Sequence, residues 1–242
     1  MKKYLILVLL FSFNLIVAQK NGTVTYRAYF SKSEATEDLY QNDIKAYQEL
    51  KTEEMMARDL TFNLDFNENE SLFYLSKSLI SDYGSQDSKE SVIGLFYGYD
   101  KIYVNKTEDK LIEQLYYSFG TLLKKRKASL VKWDLTTETK EISGYKCYKA
   151  TYTYIQKWKG REFPWEVIAW YSPEIPVQFG PIRYSGLPGL ILELSEKNIG
   201  YIVDKITFSE EAPKIKIPNK GEVLTEEEID KRQKKAKEQL TN

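Results

Sequence analysis

The sequence predicts an α+β fold, mainly antiparallel β: a curved sheet with one inserted helix and a C-terminal helix. Apolar and polar residues alternate with period two along most of the chain, which is the pattern of half-buried strands. The chain also carries 19 Tyr, 11 Phe and 4 Trp, residue types that fit a pleated, partly buried surface. Only two stretches have helical spacing.

The first eighteen residues read as an export leader. Lys2 and Lys3 precede an uncharged apolar run from Tyr4 to Ala18 that ends in a small residue. About 15 apolar residues fall short of the roughly 20 that span a bilayer, and the polar Gln19, Lys20 and Asn21 follow at once. Cleavage is expected after Ala18, leaving one β-rich domain over 19–209 and a charged, partly helical tail over 210–242. The mature chain is expected in the periplasm, at the cell surface or outside the cell, and not spanning the membrane.

Val24, Tyr26, Ala28 and Phe30 share one face of the first strand, and Leu60, Phe62, Leu64 and Phe66 share one face of the next. Asn67–Asn69 turns the chain into a strand over 71–76, making a hairpin. Between these strands, 42–58 lacks Gly and Pro and places Ile44, Tyr47, Leu50 and Met55 at near-helical spacing, predicting a surface helix. Polar residues and Gly84 predict a loop over 76–91. Strands are expected over 94–99, 101–105, 110–119, 122–127 and 130–136, then over 145–155 after a turn at Ser143-Gly144, and over 164–172.

Residues 173–189 hold four Pro and three Gly, which rules out a helix or a central strand. Pro188-Gly189 suits a turn whose second central residue takes positive φ. Leu190, Leu192 and Leu194 then share a face, and 201–209 completes a hairpin. Thr225 followed by Glu228 is a capping box, which starts a helix running to Leu240.

Composition excludes several chemistries. There is no His, so a conventional Ser or Cys triad and the commonest metal ligand are both missing. Without the leader, 33 basic side chains face 35 acidic ones, which gives no attraction for a phosphate backbone, and no nucleic-acid partner is expected. Cys147 is alone, has no disulfide partner and is read as a small buried residue. No metal site or cofactor is expected. Glu166 and Glu193 alternate with apolar neighbours as solvent-face carboxylates do, and Tyr184-Ser185-Gly186 lacks the first glycine of a nucleophile elbow.

Three segments carry a resemblance: Gly144-Tyr145-Lys146-Cys147-Tyr148-Lys149-Ala150, Trp170-Tyr171-Ser172-Pro173-Glu174-Ile175-Pro176, and Phe179-Gly180-Pro181 continuing to Gly186-Leu187-Pro188-Gly189-Leu190-Ile191. In these the chain resembles the GLPGLI family of exported proteins of Gram-negative bacteria, over roughly 22–209. The resemblance implies export and no particular activity; the insert and the charged tail depart from it.

Restricted by its prolines, the 173–189 segment is the candidate ligand- or partner-binding element, through Phe179, Arg183, Tyr184, Gly186, Leu187, Pro188 and Gly189; the competing expectation is a buried plug at one end of the sheet. The function expected is non-catalytic: an accessory or carrier protein of the cell envelope that binds an apolar small molecule or lipid, or an outer-membrane or other envelope protein. The alternatives are a purely structural interaction protein and a carboxylate-dependent hydrolase, the latter to be favoured by inward carboxylates sharing a cleft.

Overall fold

The structure, a computed structural model, describes residues 20–76, 85–117, 119–158 and 160–240, so the leader segment lies outside it. In chain order the elements are β1 (Gly22–Phe30), α1 (Glu37–Asn42), α2 (Ile44–Asp59), β2 (Thr61–Phe66), β3 (Glu70–Leu75), α3 (Gln86–Leu95), β4 (Lys101–Asn105), β5 (Lys110–Tyr117) and β6 (Gly120–Arg126). There follow β7 (Asp134–Ile142), β8 (Tyr145–Trp158), β9 (Arg161–Ser172), β10 (Leu190–Glu196), β11 (Ile199–Phe208), β12 (Glu222–Val223) and α4 (Glu226–Leu240).

The strands form one open, curved sheet in the order β12-β6-β5-β4-β3-β2-β1-β11-β10-β9-β8-β7. Neighbours are antiparallel except β12 on β6. Short connections explain this order: β2 to β6 and β7 to β11 are two runs of sequential neighbours, and β1 pairs with both β2 and β11 to join them. No helix of the described residues is long and apolar enough to cross a membrane.

The alternating aromatics fill the core. Val24, Tyr26, Phe62, Leu64, Phe66 and Tyr201 are all fully buried. Phe62 stacks on Phe73 with ring centroids 5.2 Å apart, and Tyr201 meets both rings edge-on. Each such side chain contributes about 1.5–3 kcal/mol of apolar burial. A register shift between Ile191 and Glu193 breaks the β9–β10 ladder, and the Ile191 carbonyl accepts a 2.6 Å hydrogen bond from the buried Tyr26 hydroxyl.

Several local expectations change. The 42–58 helix is present as the surface helix α2, starting at Ile44; it buries Met56 and Ala57 near its end and leaves Ile44 and Met55 exposed. Of the loop expected over 76–91, residues 77–84 lie outside the described set, and α3 starts at Gln86. The Ser85 side chain caps it by accepting from Ser88 N. The strand expected over 94–99 is the end of α3 and the turn after it; Val92 and Phe96, four apart, bury together as helix spacing allows. Likewise β7 begins at Asp134, after a single 3-10 turn at Ala128–Leu130.

The charged tail returns to the sheet. Ile215 packs on the outer-face cluster of Leu72, Tyr103, Ile112 and Leu123, β12 pairs with Leu122 and Leu123, and Ile229 of α4 buries against Leu122 and Leu224. Its capping box forms in both directions between Thr225 and Glu228.

Candidate functional site

Four pieces of backbone meet around a cleft of about 880 Å³ inside the curve of the sheet: β5 with β6, the 97–100 segment before β4, the middle of β8, and the 183–184 corner of the Pro/Gly segment. Period two decides which side chains enter it. On β5, Glu113 occupies the inward position between Leu111 and Leu115, an acid on an otherwise apolar stripe. On β8, Tyr152 and Tyr154 face inward in the same way.

The floor is an ion-pair network. Arg183 donates through Nε to Glu113 Oε1 at 3.0 Å and lies 3.7 Å through Nη1 from Glu196 Oε2, and its guanidinium sits 5.0 Å from the centre of the Tyr97 ring. Arg126 donates through Nη2 to Glu113 Oε1 at 3.1 Å. The Tyr154 hydroxyl donates to Glu196 Oε1 at 2.7 Å. Both carboxylates have only 3% of their side-chain surface exposed, against 20% for Arg183. Burial opposes the Arg183 charge, yet Tyr97, Glu113 and Glu196 together raise its proton affinity well above the ordinary guanidinium value.

Burial, followed by the Glu196 charge and hydrogen bond, pushes the phenols of Tyr154 and Tyr184 well up. Asp100, which accepts from Tyr116 N at 3.1 Å, is raised to about 7, mainly by burial and further by Glu113. Among the described residues, buried Glu196 Oε2 and Arg126 Nε have no hydrogen-bond partner, nor does Glu113 Oε2, although it lies 2.9 Å from Arg126 Nη2. Among the described residues, no group of three or more His, Cys, Asp or Glu is placed to hold a metal.

The Pro/Gly segment lies partly in the core and partly at the cleft. Phe179 and Leu187 are buried in the main core with Ile175, Val177 and Ile182, so they plug the sheet. Arg183 and Tyr184 reach the cleft, whereas Gly186 and Pro188 are exposed outside its lining. Trp133 fixes the corner by donating from Nε1 to the Ser185 carbonyl at 2.9 Å and packing 5.8 Å from the Tyr184 ring. Tyr97, whose ring faces the Arg183 guanidinium, and Ile182, the residue before Arg183, both take positive φ, at 55°. That conformation costs a non-glycine residue about 1–3 kcal/mol.

The two glycines of Gly186–Ile191 serve different ends. Gly186 has φ +90°, and its missing side chain would enter open space. Gly189 is not in the positive-φ region expected of the turn; a Cβ there would lie 2.2 Å from the Ser172 carbonyl oxygen, so glycine is needed for close approach.

Sequence reasoning had missed Glu113, Glu196, Asp100, Arg126 and Tyr97. The one local signal was Glu113 on an apolar stripe of β5. Glu193, weighed instead, points to the other face, where it pairs with Lys140 at 2.5 Å and accepts from the Tyr29 hydroxyl; Glu166 is exposed.

Residues 156–193, which include β9 and the whole Pro/Gly segment, match a family described as a protein of unknown function (Porph_ging). No curated protein matches the chain in sequence. In fold the chain is similar to PNGF-II in its P21 crystal form, with a TM-score of 0.50 and 12% identity over 88% of this chain and 32% of that one. The C2 form of PNGF-II gives a TM-score of 0.47 and 13% identity, over 84% and 31% of the two chains. This chain thus shares its fold with about a third of the length of PNGF-II, and its Pro/Gly region matches a family of unknown function.

Proposed function

We propose that this chain is an exported, non-catalytic binding protein of the cell envelope that holds its ligand or partner in the cleft floored by Arg183. Export rests on Lys2, Lys3 and the apolar run to Ala18. The hexapeptide Gly186–Ile191, within the region matched by a family of unknown function, supports placing the chain with the GLPGLI proteins.

The observation that carries the reading is the pairing of Glu113 and Glu196 with guanidinium groups. A buried carboxylate matched to Arg183 or Arg126 is fixed in place and suited to recognition, and an acid–base catalyst needs a proton free to move. The ionic floor favours a polar partner, such as a segment of an envelope protein, over an apolar small molecule or lipid.

The test is native mass spectrometry of the protein purified from its own envelope, beside a Tyr152→Ala, Lys127→Gln variant altered on the cleft wall. The wild type is expected to carry a molecule that the variant has lost. An empty wild type, or equal occupancy of the two, overturns the reading.

Asp100 favours a second reading, the carboxylate-dependent hydrolase. A cleft acid whose proton affinity is raised to about 7 is what a general acid requires. Hydrolysis of any of a panel of polymeric substrates that is abolished by Asp100→Asn would establish it; a panel left intact by the wild type removes it.

A further inference from the structure

The middle of β8 has a free edge. β9 pairs with β8 from Tyr148 to Trp158, but β7 pairs with it only as far as Thr151, opposite Asp134. Among the described residues, no strand pairs with the other side of Thr153–Gln156. Three successive residues, Tyr154, Ile155 and Gln156, border the cleft. Successive strand residues point to opposite faces, so the cleft reaches around the edge of the strand as well as its inner face.

The backbone groups at that edge can be assigned. Ile155 lies opposite Pro164, which has no N–H to give. The pair therefore occupies a non-hydrogen-bonded site, where both residues turn their N–H and C=O away from each other. Ile155, and Thr153 two residues earlier, then aim these groups at the free edge. An independent contact agrees: the Lys149 carbonyl, of the same parity, faces β7 and accepts from Thr136 Oγ1 at 3.1 Å. Ile155 is also 51% exposed, so among the described residues its side chain is open to solvent on one side.

Charge selects the occupant. Of the charged side chains lining the cleft, the basic Lys124, Arg126, Lys127, Arg183 and Lys197 outnumber the acidic Asp100, Glu113 and Glu196. The chain as a whole is balanced, so this excess of positive charge is local.

Resting on the cleft-binding reading above, we propose that the occupant is an extended acidic peptide segment of a partner protein, which adds as a strand to β8 through the main-chain groups of Thr153 and Ile155. Its acidic side chains meet Lys127 and Lys197. A saccharide or lipid lacks the alternating main-chain N–H and C=O groups that extend a strand ladder.

The experiment is fluorescence anisotropy with a labelled octapeptide alternating glutamate and valine. It is run beside a lysine–valine counterpart, a labelled oligogalacturonate, and the acidic peptide N-methylated at alternate residues. The acidic peptide is expected to bind, to weaken as salt is raised, and to weaken further with the Lys127→Gln, Lys197→Gln protein. Loss of one or two main-chain hydrogen bonds should cost about tenfold or more in Ile155→Pro, and Ile155→Val should bind as wild type does. Ile155→Pro leaves the β9 ladder intact, and circular dichroism checks its fold. If that variant does not fold, the N-methylated peptide reads the same hydrogen bonds from the ligand side and is expected not to bind. Absence of acidic-peptide binding, or equal binding of the N-methylated form, overturns the proposal. Binding of oligogalacturonate in place of the peptide overturns it as well but leaves the cleft reading standing. That reading falls separately, if the envelope-purified protein is empty.

Discussion

Arg183 and Glu113, seventy residues apart, meet at 3.0 Å and tie the Pro/Gly segment to β5 across the interior of the sheet. The pair is nearly dry, so its value depends on both members being present. Desolvation of each charge is offset only by the other and by Glu196 and Arg126.

Removing one partner should therefore cost more than removing both. Arg183→Met leaves Glu113 and Glu196 short of a countercharge and should lower stability by about 3–5 kcal/mol. Arg183→Met with Glu113→Gln should recover part of that loss. Urea unfolding of the two single variants and the double variant measures the coupling, and strict additivity would show that the pair does not act as a unit.

The glycines of the hexapeptide should separate by mechanism. Gly189→Ala drives a methyl group into the Ser172 carbonyl, which belongs to the backbone and cannot rotate away; a loss of about 1–3 kcal/mol or more is expected. Gly186→Ala meets no atom and carries only the left-handed penalty, about 1–2 kcal/mol. Thermal melts of both variants give the order, and a more stable Gly189→Ala would contradict the close approach.

Asp100 should make stability depend on pH. Its folded-state value of about 7 lies above the roughly 3.9 of an unfolded aspartate, so the native state holds the proton more tightly. The contribution is fully present below about pH 4 and is lost as pH rises through 7. Compared with wild type, Asp100→Asn should therefore gain relative stability between pH 4 and 7 and show a flatter profile. Urea midpoints measured across that window test the sign.

Cys147 should be inert. It is completely buried, and burial pushes its thiol up to about 11, so little thiolate exists at neutral pH. Intact-mass measurement after iodoacetamide should show no addition to the native protein and a single addition in denaturant. Rapid labelling of the native protein would mean that β8 opens there.

Much of the architecture was legible because strands report themselves locally. The period-two faces of β1 and β2, the turn at Ser143-Gly144 with φ of 51° and 83°, and the Thr225–Glu228 cap each depend on neighbours only a few residues away. α3 was not legible: its start depends on Ser85, and its few apolar residues resemble a loop until Val92 and Phe96 have a core to enter.

By itself, the sequence determined the strand-rich class, the lack of any histidine-based chemistry, and the existence of an unusual stiff segment at 173–189. Only the tertiary structure decided that this segment is mostly plug, with Arg183 alone presenting its charge to the cleft, and that Glu113, Glu196, Tyr97 and Asp100 gather around it. Alternation specifies which face a side chain occupies, but not which distant strand lies opposite. That second choice follows from the curl of the whole sheet, which brings β5 and β6 across from β8, and no short stretch of chain encodes it.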